Sequence, residues 1–217
     1  MGPSLVHAFG LPARTPCHVV DAKYEAGSYC RVLYQLGEHL ATGELSFAAT
    51  GRPPDGGVQV HPGMRAFLFP DDPKLPGLRL AMDPGAVTRA LHERGRSQAR
   101  LTLLRYRPGK RATIRIDVRG DRGTRTLIGK VYSDGRKAAA VYDEARALTR
   151  ALEHDGNVRV ARPEGFVAEL GMVVWQPVTG GELEPHLDTV HGDARVRAAA
   201  DALATLHALP PVSARRR

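Results

Sequence analysis

From residue 101 onward, apolar and polar residues fall into short runs divided by turn residues, and each run predicts one element. The runs 101–106 and 112–118 predict two strands joined by the turn Arg107-Pro108-Gly109-Lys110. A second turn over 119–123 leads to a third strand, where Leu127, Ile128, Val131 and Tyr132 supply the apolar positions and Lys130 sits near the end. After the turn Ser133-Asp134-Gly135, a helix is expected over 136–152, because Ala140, Tyr142, Glu144, Ala147, Leu148 and Leu152 fall close to helical spacing. Strands at 165–169 and 171–176 follow, the second apolar through its middle and therefore expected to be buried. Pro177, Gly180 and Gly181 break the sheet. The alanine-rich stretch 193–209 predicts a last helix with Asp193 as its N-cap, ended by Pro210-Pro211.

The first part of the chain is patterned differently. Residues 1–16 read as irregular, with Pro3, Gly10, Pro12 and Pro16 as breakers. Runs at 17–24 and 29–36 predict a hairpin around Gly27, and 44–49 continues it after breaks at Gly37 and Gly43. The loop 51–57 precedes two more short strands, 58–61 and 64–69. Three prolines between Phe69 and Leu78 forbid regular structure there. Asp71 and Asp72 in that loop are read as turn and cap acceptors rather than as metal ligands. Asp83 followed by Pro84 announces a helix over 83–94, and Gly95-Arg96-Ser97 reads as a linker. The division that results is a small α+β unit over 1–95, a sheet unit over 96–183, and a helical unit from 184 to 217. One internal echo links the first two: residues 23–37 align with 105–120 through Tyr24 and Tyr106, then Gly27 and Gly109. It reads either as two related hairpins, the first in a cap subdomain, or as chance similarity of two hairpins.

Composition narrows the class. Apolar residues at 42% and charged residues at 25% are those of a globular chain with a sizeable core. No apolar run approaches the ~18 residues a membrane helix needs, and the N-terminus lacks a secretory pattern, so a cytoplasmic protein without membrane contact is expected. Cys17 and Cys30 are too few for a disulfide framework or a zinc site. The net charge of +8 raises nucleic acid as a partner, but the arginines are scattered and aromatic residues are few, so none is expected.

The chemistry concentrates on Lys130 and Glu144. A strand lysine, a tight turn and a helix glutamate are the parts that hold a nucleotide's phosphates in a kinase, the glutamate fixing the lysine. An ordinary solvated lysine and a surface glutamate would look the same in isolation. The surrounding pieces are more specific: GKVY around Lys130, DEARAL around Glu144, VVWQPVTGGEL as a hinge, and ALATLHAL before a proline. With these, residues 100–209 resemble the N-terminal lobe and first C-lobe helix of the aminoglycoside phosphotransferase family, which includes choline-kinase-like and maltokinase-like enzymes.

The resemblance implies an α+β chain: a protein-kinase-like N-lobe, with an antiparallel five-stranded sheet and one helix, preceded by the small cap subdomain and followed by the first C-lobe helix. It also implies ATP and Mg2+ as cofactors and a small-molecule hydroxyl, on an aminoglycoside, sugar or similar compound, as acceptor. Lys130 would meet the α- and β-phosphates and Glu144 would hold it. The backbone of Gln176 and Val178 would meet the adenine edge. Gly109 would lie in the phosphate-covering turn, where Lys110 and Arg111 either add charge or form a solvated basic turn. The family's catalytic loop, with its metal-binding Asn and Asp, follows the last helix and has no counterpart here, so no catalytic or metal residue is assigned. His191-Gly192-Asp193 copies the start of that loop but precedes the helix. The expectation is therefore the N-terminal portion of a phosphotransferase, inactive alone, or else a non-catalytic nucleotide- or partner-binding module. Its last helix, exposed without a C-lobe, could pair in a homodimer.

Overall fold

The computed structural model describes residues 2–47, 56–91, 98–120, 123–153, 158–189 and 191–210. Two five-stranded antiparallel sheets organise it. The first contains β1 (Cys17–Glu25), β2 (Tyr29–Leu36), β3 (His39–Ser46), β4 (Val58–His61) and β5 (Met64–Leu68), in the spatial order β1-β2-β3-β5-β4. The second contains β6 (Gln98–Arg107), β7 (Arg111–Gly120), β8 (Gly123–Tyr132), β9 (Pro163–Val167) and β10 (Met172–Trp175), in the order β6-β7-β8-β10-β9. The two orders are the same. The expected α+β class, with a five-stranded sheet and a helix entering between its third and fourth strands, is what the second half forms.

The helices are α1 (Gly2–Ala8), α2 (Leu78–Ala81), α3 (Pro84–Ala90), α4 (Gly135–Ala151) and α5 (Gly192–Ala208). The first corrects the sequence reading, which took 1–16 as irregular. Leu5 and Val6 of α1 are buried against Tyr34, Leu36, Ala41 and Met64, so burial stabilises a helix too short to persist alone. Gly43, read as a break, lies inside β3. A Cβ there would collide with the end of the Met64 side chain, so glycine makes room for the methionine and the strand continues. Asp83 caps α3 through Ala86 as expected, with Pro84 in the first turn, although α3 ends at Ala90. The linker read at 95–97 lies outside the described residues. Asp193 is not the N-cap of α5. His191 occupies that place, and Asp193 stands in the first turn, where its charge complements the helix dipole.

One core joins the two halves. The inner face of the second sheet (Ile114, Ile116, Leu127, Val131, Met172) is covered by Leu75, Leu78, Ala81 and Val87 and by Leu33 of β2. Each fully buried aliphatic side chain there contributes roughly 1.5–3 kcal/mol. The segment from Leu75 through α3 thus seals one face of the second sheet, while α4 packs beside β8, β9 and β10. By contrast α5 is almost wholly exposed, Gly192 being its only buried residue among those described. No described helix is long and apolar enough to cross a membrane.

Candidate nucleotide-binding site

Alternation along β8 decides where Lys130 points. Leu127, Gly129 and Val131 face the core, which leaves Ile128, Lys130 and Tyr132 on the opposite, half-buried face. Lys130 lies between Thr113 of β7 and Val173 of β10, and its ammonium rests 5.2 Å from the centroid of the Trp175 ring. Burial, with the Arg111 charge adding to it, holds the ammonium below the usual lysine range. No carboxylate among the described residues pairs with it. The indole Nε1 of Trp175 beside it is buried and has no partner either. A half-desolvated cation with an unused N–H at its side is a place where an incoming anion gains and no internal salt bridge has to break.

Glu144 is on α4 as expected, but it is exposed and forms no ion pair with Lys130. The helix turns other residues inward: Ala138 is buried and Tyr142 stacks on Phe166 at 6.4 Å between centroids. In this conformation the aromatic ring of Trp175, not Glu144, positions Lys130.

The hinge leaves β10 at Trp175. The Gln176 amide donates to the Arg162 carbonyl at 2.8 Å, and its side-chain Nε2 donates to Glu164 at 2.8 Å, which extends the β9–β10 ladder by one step. Two residues later Val178 is 61% exposed, and its backbone makes no hydrogen bond among the described residues. The backbone groups free of hydrogen bonds at the hinge are therefore those of Val178 rather than the Gln176 N–H. Both residues line a cleft of about 460 Å³ between the end of α4 and residues 158–162. Lys130 is not among the residues that line it.

The turn around Gly109 is tied to the first sheet, a connection that sequence reasoning missed. Gly109 has φ +66°, and its amide donates to Asp72 Oδ2 at 2.6 Å. The same oxygen accepts the Tyr106 hydroxyl at 2.8 Å, and burial together with the Asp72 charge raises that phenol well above its ordinary range. Arg31 donates to the Pro108 carbonyl at 2.7 Å and to Glu44 Oε2 through Nε at 2.7 Å, while Lys74 meets Glu44 Oε1 at 2.9 Å. Burial pushes the Glu44 carboxyl up, but the hydrogen bonds from Lys74 and Arg31 outweigh it and hold it below the usual range. With its amide engaged by Asp72, Gly109 is a fixed turn residue here, not an open phosphate cradle.

A five-stranded antiparallel sheet with a helix between its third and fourth strands, a central-strand lysine and a hinge after the last strand is a kinase-like N-lobe type of fold. Residues 111–217 match the model of the phosphotransferase enzyme family. The match begins at β7 and takes in Lys130, Glu144, the hinge and α5; the first sheet and β6 lie before it. Neither the comparison with curated proteins nor that with solved structures returned a match.

Proposed function

We propose that this chain supplies the nucleotide-holding portion of an ATP-dependent phosphotransferase that acts on a small-molecule hydroxyl. The observation that carries the reading is Lys130: half-buried, without a carboxylate partner among the described residues, and within the stretch that matches the phosphotransferase family model. ATP fits the residues present. Lys130 would neutralise phosphate charge, and the Trp175 N–H beside it has no other partner. Val178 offers a free backbone N–H and C=O at the hinge, and Gln176 holds the strand end that presents them. ATP bound there would supply the γ-phosphoryl group; the work of these residues is orientation and charge neutralisation. For Mg2+, the described residues hold no group of three or more His, Cys, Asp or Glu side chains, and no step is assigned to the ion.

Magnesium-ATP at 100 times its Kd should stabilise the protein by about 2.7 kcal/mol, read as a rise in melting temperature that Lys130→Ala abolishes. An equal rise in both proteins removes Lys130 from the site.

A second reading is a non-catalytic nucleotide- or partner-binding module. It is favoured by Glu144, which stands exposed and apart from Lys130. A cytoplasmic location and a homodimer formed through α5 belong to the same proposal. For the latter, Val196 and Leu203 are about half exposed on that helix. Light scattering that shows only monomer at high concentration contradicts the dimer.

A further inference from the structure

A cleft of about 450 Å³ lies between the β1–β2 hairpin and the end of the β6–β7 hairpin. All of its lining residues precede residue 111, so it lies outside the stretch matched to the family, and Lys130 is not among them. Its walls carry Lys23, Arg105, Arg107 and Lys110, against the single carboxylate of Asp21. Arg31 also lines it but is neutralised by Glu44.

We propose that this cleft binds an anion bearing two or more phosphate groups, with Lys23, Arg105, Arg107 and Lys110 as its cationic contacts. Three observations carry the assignment. First, like charges stand directly opposite in the second hairpin, where Arg107 faces Arg111 across β6–β7 with no carboxylate partner for either among the described residues. Such cross-strand pairs are destabilising unless a counter-charge relieves them. Second, the counter-charge inside the protein reaches only part of the set. Glu44 satisfies Arg31, and Glu25 lies 3.6 Å from Lys23, whereas Arg105, Arg107 and Lys110 have no carboxylate partner among the described residues. A concave wall of one sign focuses its field on the space in front of it. Third, the floor is held in place. Pro108 accepts from the buried Arg31, and the adjoining Gly109 and Tyr106 are fixed by Asp72.

Arginine forks suit phosphate oxygens in bidentate fashion, and the volume exceeds what one phosphate fills. The floor is the turn that leads into the family-matched stretch, so a ligand here would connect the first subdomain to that stretch.

The probe is inorganic tripolyphosphate, titrated calorimetrically into the full chain carrying Lys130→Ala, which removes the other anion site from the measurement. One equivalent should bind, and Arg105→Gln with Arg107→Gln should weaken it at least tenfold without altering the circular dichroism of the folded protein. Lys23→Gln with Lys110→Gln, both at exposed positions, should weaken it as well and serves as the reading if the arginine pair fails to fold. A hexose bisphosphate that binds more tightly than tripolyphosphate assigns an organic ligand, and the reverse ranking an inorganic chain; either supports the site if the arginine substitutions abolish it. Unchanged affinity in these variants, or loss of tripolyphosphate binding through Lys130→Ala alone, overturns the proposal. Because the titration does not use Lys130, its outcome is separate from that of the ATP experiment.

Discussion

Glu44 and Lys130 occupy matching places in the two sheets. Each is in the third strand of a sheet ordered 1-2-3-5-4, each follows a glycine, Gly43 or Gly129, and each precedes an apolar residue paired with a methionine, Met64 or Met172. Counted from Gly27 and Gly109 at the hairpin turns, their partners on the second strand, Arg31 and Thr113, correspond as well. The charges are opposite and so are their fates. Glu44 is buried between Arg31 and Lys74 and welds the first sheet to the turn at Pro108. Lys130 is left without a carboxylate on an open face. At one backbone position neighbours satisfy the charge and make a structural clamp; at the other they leave it unsatisfied, and the proposed ligand site rests on that difference.

The largest effect should come from breaking the clamp. Glu44→Ala leaves Arg31 buried without its partner and should cost about 3–5 kcal/mol in urea unfolding. The acid limb follows from the same residue. The folded carboxyl titrates below that of the unfolded chain, so the stability it brings is complete above the ordinary glutamate range and is lost as pH falls through the folded value. Glu44→Gln should flatten that limb of a stability-against-pH profile.

Next comes the pair of glycines. A Cβ on Gly129 would meet Met172 Sδ at 2.6 Å and Ile116 Cδ1 at 3.0 Å, whereas on Gly43 the closest atom is the flexible end of Met64. Gly129→Ala should cost about 1–3 kcal/mol and Gly43→Ala less, both read by denaturant midpoints. Equal costs would mean that the two packings are not distinguished by Met flexibility.

The matching tyrosines separate at smaller scale. Tyr106 donates to Asp72 in the core and Tyr24 is 67% exposed beside Phe47, although each meets a phenylalanine edge-on. Tyr106→Phe should cost about 1 kcal/mol and Tyr24→Phe nothing beyond ~0.5 kcal/mol.

The smallest effect has the opposite sign. Because the fold disfavours the charged Lys130, Lys130→Met should raise the melting temperature by roughly 1–3 °C at neutral pH while abolishing nucleotide binding.

Local pattern made most of the second sheet legible. Alternation along β7 and β8, the Asp-Pro start of α3 and the apolar β10 each announce themselves within a few residues. What stayed hidden depends on distant partners. The helix α1 forms because the sheet core accepts Leu5 and Val6, and Gly43 reads as a break until Met64 is seen across from it. Asp72 is the turn acceptor the sequence suggests, taking the Lys74 N–H on Oδ1, yet the partners of its other oxygen are 34 and 37 residues away. Glu144 was placed on the correct helix, but its facing depends on how α4 rolls against β9 and β10. A signal for Glu44 did exist: Gly43-Glu44-Leu45 ahead of Met64 repeats Gly129-Lys130-Val131 ahead of Met172, beyond the hairpin echo.

Chemical labelling tests the role of Lys130 most directly. An ATP derivative acylated on its terminal phosphate transfers the acyl group to an amine close to the bound phosphates; the amine attacks the carbonyl carbon, an amide forms and ATP leaves. The chain has five lysines, so peptide mass spectrometry resolves the acceptor. The account predicts that the label falls on Lys130 and that excess ATP suppresses it. Label spread evenly over the lysines, or on Lys130 without protection by ATP, would contradict it.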